Sequence, residues 1–177
     1  TASGTFSTGA YTADITSLTC ATTYHIRAYA TNDIGVGYSS DTTLTTDPCP
    51  VPTVTTESAS SVAVNTTTLN GTITNIGGST PTIRGFVYGT TTAYGATTTA
   101  SGTFSTGTYT ADITSLICST TYYVAAYATN SVGAGYGSGT TFTTSACVAP
   151  TVTVSAATSL GLTTVTLNGT ITDGGGT

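Results

Sequence analysis

The sequence predicts an all-β chain of tandem antiparallel β-sandwiches, and three observations point there. Thr makes up about a quarter of the residues, Gly and Ser are abundant, Tyr, Val and Ile are frequent, and Met and Trp are absent. That mix favours pleated strands and tight turns over helices. Short segments alternate apolar and polar side chains with a period of two, as a strand does when one face is buried and the other wet. The chain also repeats itself. Thr99-Ala-Ser-Gly-Thr-Phe-Ser-Thr-Gly107 restates Thr1-Ala-Ser-Gly-Thr-Phe-Ser-Thr-Gly9, and the offset of 98 residues, the step from Cys20 to Cys118, holds afterwards without insertion.

Along that offset Asn32 maps to Asn130, Cys49 to Cys147, Pro52 to Pro150, and Leu69-Asn-Gly71 to Leu167-Asn-Gly169. A period near a hundred residues is too long for a solenoid unit and suits one whole sandwich per repeat. Prolines in Asp47-Pro-Cys-Pro-Val-Pro52 and in Ser145-Ala-Cys-Val-Ala-Pro150 interrupt strand pairing and mark linkers. They enclose one complete domain, residues 50–147. Residues 1–49 read as the C-terminal part of a first repeat, and 148–177 as the N-terminal strands of a third. The segment Thr80–Thr98 has no second copy, so the 177 residues fall short of two full periods by that stretch. Neither flanking piece can close a sandwich unaided. The expectation is a window on a longer array. A subunit that completes its half-domains with a neighbour's strands is the alternative, and that neighbour would need its own copy of the missing segment. The first residues, Thr1-Ala-Ser-Gly4, lack the charged and apolar regions of a signal peptide, so the natural N-terminus is expected elsewhere.

In the complete repeat, strands are predicted near 53–57, 66–74, 82–89, 107–114, 121–130 and 137–144, separated by Gly, Asn and Ser turns. Leu69, Gly71 and Ile73 alternate with Asn70 and Thr72. Tyr109, Ala111 and Ile113 alternate with Thr110 and Asp112. The most specific segment is Leu116-Ile-Cys-Ser-Thr-Thr-Tyr122-Tyr-Val-Ala-Ala-Tyr-Ala-Thr-Asn130-Ser-Val-Gly133-Ala-Gly135, echoed by Leu18 through Gly37.

This segment resembles the fibronectin type III pattern: a Leu, a short corner, Thr-x-Tyr opening strand F, alternating small apolar residues, then Asn and Gly entering the F–G turn. The resemblance implies immunoglobulin-like, seven-stranded sandwiches in which Tyr122 and Tyr24 are tyrosine-corner residues, each hydroxyl bonding back to upstream backbone. The strand-C Trp usual in that family is missing, and Phe86 or Tyr88 is expected to fill its space. Comparison of the two copies assigns the faces. Tyr24, Ile26, Ala28 and Ala30 match Tyr122, Val124, Ala126 and Ala128 as the inward set, whereas His25 and Arg27 become Tyr123 and Ala125 on the other face.

The four cysteines form two equivalent sets, Cys20 with Cys49 and Cys118 with Cys147. In the topology the resemblance implies, the corner before strand F and the end of strand G lie at one pole, so two intradomain disulfides are expected. Zinc is disfavoured, since there is no close C-x-x-C spacing and the single His has no counterpart in the other copy. Disulfides imply an oxidising location, at the cell surface or secreted.

Charged residues are 5% of the chain, Lys is absent and the cations are Arg27, Arg84 and His25. Too few cations are present to neutralise phosphates, which sets nucleic acid aside. No apolar run approaches the roughly 18 residues of a membrane-spanning helix. A catalytic repeat should carry its acid, base or nucleophile together, yet His25 becomes Tyr123 and no Ser/His/Asp or Cys/His set can be assembled. No enzyme activity and no cofactor are expected. Asp33, Asp41, Asp47 and Glu57 gather around the first linker, but their counterparts are Ser131, Gly139, Ser145 and Ser155, which argues against an array-wide calcium site. The glycine run Gly133 to Gly139 lacks the Lys of a phosphate loop and reads as an F–G turn. Asn65, Asn70 and Asn168 open the N-x-Thr pattern and are candidate glycosylation sites.

The expected function is structural: a repeat region of an extracellular fibre, stalk or surface filament, resembling the fibronectin type III arrays of bacterial surface proteins. Its partners would be neighbouring repeats of the same chain, with lateral or end-to-end self-assembly into filaments through strand edges that no Lys protects. The rival is an adhesive module that binds carbohydrate or a host protein through the F–G turns and outward Tyr123, Tyr127 and Tyr136. A spacer in a secreted enzyme is the third reading.

Overall fold

The structure is a computed structural model that describes residues 7–175. Residues 1–6, which open the first copy of the repeat, and residues 176–177 lie outside that range. The chain divides into two compact units, Thr1–Cys49 and Pro50–Thr177.

The first unit contains β1 (Thr23–Ile26), β2 (Tyr29–Asn32), β3 (Gly35–Tyr38) and β4 (Thr42–Thr45). β1 pairs antiparallel with β4, and β2 with β3. Arg27 and Ala28 separate β1 from β2. Residues 9–15, whose sequence copies a strand of the complete repeat, form no strand here. A strand is held by its partner's hydrogen bonds, and the partner occurs only in the second unit.

The second unit contains β5 (Thr53–Ser60), β6 (Thr67–Asn75), β7 (Ile83–Gly89), β8 (Ala96–Ser101), β9 (Gly107–Ile113), β10 (Thr121–Thr129), β11 (Ala134–Tyr136), β12 (Thr140–Thr143), β13 (Thr151–Thr158) and β14 (Thr166–Asp173). One sheet runs β5-β6-β9. The other runs β8-β7-β10, with β11 and β12 both pairing with β10 along its far edge. All pairings are antiparallel.

Two differences from the predicted strands have physical causes. β8 carries Ala96-Thr-Thr-Thr-Ala-Ser101 and no large apolar residue, so it has no periodic signal. It exists because β7 offers a ladder from Ile83 to Tyr88. The strand predicted over 137–144 is confined to β12, and an unpredicted β11 precedes it across a break at Gly137–Gly139. There Thr56 Oγ1 of β5 accepts the Ala126 N–H (2.9 Å), and a Cβ on Gly137 would lie 2.7 Å from the Thr56 nitrogen. β5 thus reaches across to the second sheet at the point where the β10 ladder is interrupted.

The core lies between the sheets: Val54, Leu69 and Ile73 meet Phe86, Val124, Ala126, Ala128 and Phe142, with Tyr109, Ile113, Leu116 and Tyr122 alongside. Alternation along β6 and β10 puts these residues on the inner face, as the sequence expects. Phe86 takes the place of the missing Trp. It is fully buried with its ring 5.1 Å from Tyr109, and Gly71 makes room for it, since a Cβ there would lie 3.2 Å from the Phe86 ring and 2.8 Å from the Ala126 Cβ.

The hairpin β13–β14 repeats β5–β6 down to an irregularity in register, between Ser155 and Thr158 in one and Glu57 and Ser60 in the other. Its apolar face is open. Val152 is 68% exposed where Val54 is 5%, and Leu167 is 78% exposed where Leu69 is 1%.

Candidate functional site

Within the complete domain, most of the residues singled out by the sequence fall at its two poles and on the outer face of its β8-β7-β10 sheet. At the pole where the chain leaves the domain, Cys118 and Cys147 form a disulfide with Cα atoms 5.1 Å apart, and Cys20 and Cys49 do the same in the first unit. The corner that carries Cys118 holds Ser115 and Ser119 in the left-handed region, at φ 61° and 50°. The Tyr122 hydroxyl accepts the Ile117 N–H (3.0 Å), and the Tyr24 hydroxyl accepts the Thr19 N–H (2.8 Å). Thr144 Oγ1 accepts the Thr120 N–H and donates to Ile117 O (2.6 Å), while Ser119 N–H donates to Ser145 O and Ser145 N–H to Ala63 O. The threonine bonds and the bond matching Ser119 to Ser145 recur around Cys20, where Thr46 takes the place of Thr144 and Ala21 N–H donates to Asp47 O. Two disulfides point to an oxidising environment.

Asn130 organises the other pole, where the chain enters. Its Oδ1 accepts the N–H groups of Val132 and Gly133 and so shapes the β10–β11 turn. Its Nδ2 faces the carbonyls of Pro50, Ile76 and Ser79 at 3.1–3.3 Å. Gly78 N–H also donates to Pro50 O (2.8 Å). The side chain is 5% exposed. Asn32, its copy, makes the two turn bonds to Ile34 and Gly35 and is exposed.

The strand order β5-β6-β9 against β8-β7-β10-β11/β12, with Tyr122 of β10 closing the corner that precedes that strand, decides the fold. The complete domain is a fibronectin type III-like β-sandwich. No protein family and no curated protein matches the chain. Among solved structures it is similar to the sensor domain of the anti-sigma factor RsgI4 of Pseudobacteroides cellulosolvens, at 18% identity and TM-score 0.47, over 55% of this chain and 97% of that one. It is also similar to the FN1–FN3 domains of chicken CNTN1, at 17% identity and TM-score 0.45, over 72% of this chain and 42% of that one. Consecutive titin domains match at 21% identity and TM-score 0.41, over 71% of this chain and 41% of that one. These likenesses add nothing to the strand order itself.

On the outer face of the fibronectin-like domain the three predicted contact tyrosines differ. Tyr136 is 59% exposed and Tyr123 is half-buried. Tyr127 departs from the expectation of an open contact residue: it is 7% exposed. Period two does turn it outward, but its ring lies 5.7 Å from that of Tyr136, and its hydroxyl meets Thr99 Oγ1 (3.0 Å) and donates to Thr98 O (3.1 Å). Ala125 beside it is buried too. A shallow open cleft of about 510 Å³ lies between Tyr94 and Tyr136, floored by Val87 and Thr97, with no charged side chain in its lining.

A buried tyrosine escaped the sequence reading of site residues. The Tyr109 hydroxyl donates to Tyr127 O (2.9 Å), with Gly85 O at 3.3 Å, so it ties β9 in one sheet to β10 in the other. Burial pushes its pKa up to about 12, although the Arg84 guanidinium, 5.0 Å over its ring, pulls the other way. Its copy Tyr11 donates to Tyr29 O (3.2 Å). Recurrence of Tyr at that position in both copies was the available signal.

The candidate glycosylation sites are placed differently from one another. Asn70 Nδ2 donates to Ser58 O (2.8 Å) and Ser60 Oγ (3.0 Å), and Asn168 Nδ2 to Ala156 O (2.8 Å) and Thr158 Oγ1 (3.2 Å). Each amide spans the irregularity of its hairpin, so a glycan on that nitrogen would displace one of these bonds. Asn65 sits in the β5–β6 turn and is half-buried. His25 Nδ1 lies 2.7 Å from Asp41 Oδ2 on an exposed face. Among the described residues no three His, Cys, Asp or Glu side chains gather as a metal site.

Proposed function

We propose that the chain is a non-catalytic structural repeat region of an extracellular fibre, stalk or surface filament. One observation carries this reading: the chain enters and leaves the complete domain at opposite poles, and both points are clamped. Pro50 is held by Asn130 and Gly78 at the β10–β11 turn pole, and Cys147 is bonded to Cys118 at the other. A domain threaded in this way lengthens an array with each repeat instead of folding it back. Strands of eight to nine residues, such as β5 and β6, set that step at roughly 35 Å with the turns included. Electron microscopy of the native material tests the proposal. Continuous fibres with an axial repeat near 35 Å are expected, and isolated flexible strings or globules would reject the fibre.

Lateral association belongs to the same proposal. β8 is a sheet edge without a single charged residue, and uncharged edges invite pairing with another chain. Small-angle scattering at rising concentration should show growing assemblies, whereas a strictly monomeric chain would remove lateral packing from the proposal. A second reading, adhesion to neutral carbohydrate, is favoured by the cleft between Tyr94 and Tyr136. A glycan array without hits would sink it.

A further inference from the structure

We propose that each disulfide is a mechanical bypass that takes the strands it encloses out of the covalent load path, and that in the complete domain, where these are β10, β11 and β12, it also shifts the loaded point from an edge strand to the corner before a central one. Tension along the chain enters the complete domain at Pro50 and leaves past Cys147. Because Cys147 is bonded to Cys118, the covalent path runs from Pro50 through β5 to β9, crosses the sulfur bridge and exits. Residues 119–146, which hold β10, β11 and β12, are not in it.

The bond also changes which ladder resists. Without it, the pull on Cys147 arrives at the end of β12, an edge strand whose register with β10 covers Thr140 to Thr143. With it, the same pull also reaches Cys118, in the corner between Ile113, the last residue of β9, and Thr121, the first of β10. β10 is paired on both sides: with β12 and β11 on one, and with β7 from Ile83 to Gly89 on the other. Since β10 and β12 are tied together at this pole, they can move only as one body. The domain then yields by sliding β10 past the longer β7 ladder, against the Tyr109 bond to Tyr127 O. The corner hydrogen bonds around Ser119, Thr144 and Ser145 hold the bridge close to the domain, so the load meets a formed corner instead of a slack loop.

Each bridge spans 29 residues. At about 3.5 Å per extended residue, each hides about 100 Å of contour, and the two together about 200 Å. A small dithiol releases that length: it delivers two electrons and two protons to each bridge, leaving two thiols, and becomes a cyclic disulfide itself. The inference rests on the stalk reading only for its use in a tension-bearing array. Microscopy without fibres would leave the pulling result standing, and failure in the trap would leave the fibres untouched.

The test is to pull the full chain by its two ends in an optical trap, first oxidised and then after dithiothreitol is flowed over the folded molecule. The oxidised chain should reach a final contour about 200 Å shorter, and its complete domain should yield at a higher force than after reduction. A reduced domain that unravels without load counts as the same loss of force. Equal contours in the two states would overturn the bypass, and equal unfolding forces would overturn the transfer of load to β10. A Cys20→Ser, Cys49→Ser chain keeps only the bridge in the complete domain. Its oxidised and reduced contours should differ by about 100 Å, and no difference again overturns the proposal.

Discussion

Asn130 shows how much one side chain can decide. Its amide joins the incoming linker, the β6–β7 turn and the β10–β11 turn, all at a site closed to water. A buried donor or acceptor left without its partner costs about 1–3 kcal/mol. Asn130→Ala should therefore destabilise the domain by about 2–4 kcal/mol in urea unfolding, whereas Asn32→Ala, at the exposed copy, should change little. Tyr109 makes a pH prediction. Its pKa is about 12 when folded and 10.0 as the ordinary value, so the unfolded chain releases the proton first as pH rises. Stability from this group is fully present below pH 10 and is lost between pH 10 and 12. Tyr109→Phe should lower the neutral-pH midpoint through the lost bond to Tyr127 O, and its stability should fall less steeply across that window. Denaturation midpoints at successive pH values read both effects.

At the scale of elements, the sandwich closes because its strands leave space for each other. β6 passes Gly71 under Phe86 and Ala126, where a methyl group would sit 2.8 Å from the Ala126 Cβ. Gly71→Ala would push against Ala126 and Phe86 of the facing sheet, an overpacking cost of about 1–3 kcal/mol. The matching change Gly169→Ala in β14 meets nothing closer than 3.5 Å and should be nearly silent. Thermal melts of the two variants compare them directly. The hairpins β5–β6 and β13–β14 share their alternation, their irregularity and their asparagine clasp. They differ in burial because only β5–β6 faces a β7 and a β10.

At the scale of the whole molecule, each bridge ties the corner before an F-type strand to the linker that follows the domain. Closing a loop of 29 residues stabilises by roughly 3–4 kcal/mol in the chain-entropy account, a large share of a small domain's total. The double variant Cys118→Ser, Cys147→Ser should lose about that much in guanidinium unfolding, with a lower midpoint and a steeper slope, because the unfolded chain without the bridge exposes more surface. Reduction of the unaltered chain should reproduce the loss.

Much of this was legible without coordinates. All-β class, the 98-residue period and the inward set Tyr122, Val124, Ala126 and Ala128 follow from composition, spacing and resemblance, because alternation and turn residues act locally; of Phe86 and Tyr88, the two candidates for the vacant Trp space, packing selects Phe86. β8 was illegible because a Thr-rich edge strand has no periodic apolar signal and exists only through β7. The break at Gly137–Gly139 was illegible because β5, some 80 residues earlier in sequence, causes it. Tyr127 illustrates the boundary best: period two determines that it points away from the core, and the rings and threonines that tertiary contacts lay over it decide that it is buried. The sequence by itself determined which face each side chain takes, since that depends on backbone geometry between neighbours. Only the tertiary structure decided which outward residues stay open, which asparagines bind the poles and where tension would run, since those depend on segments that meet in space.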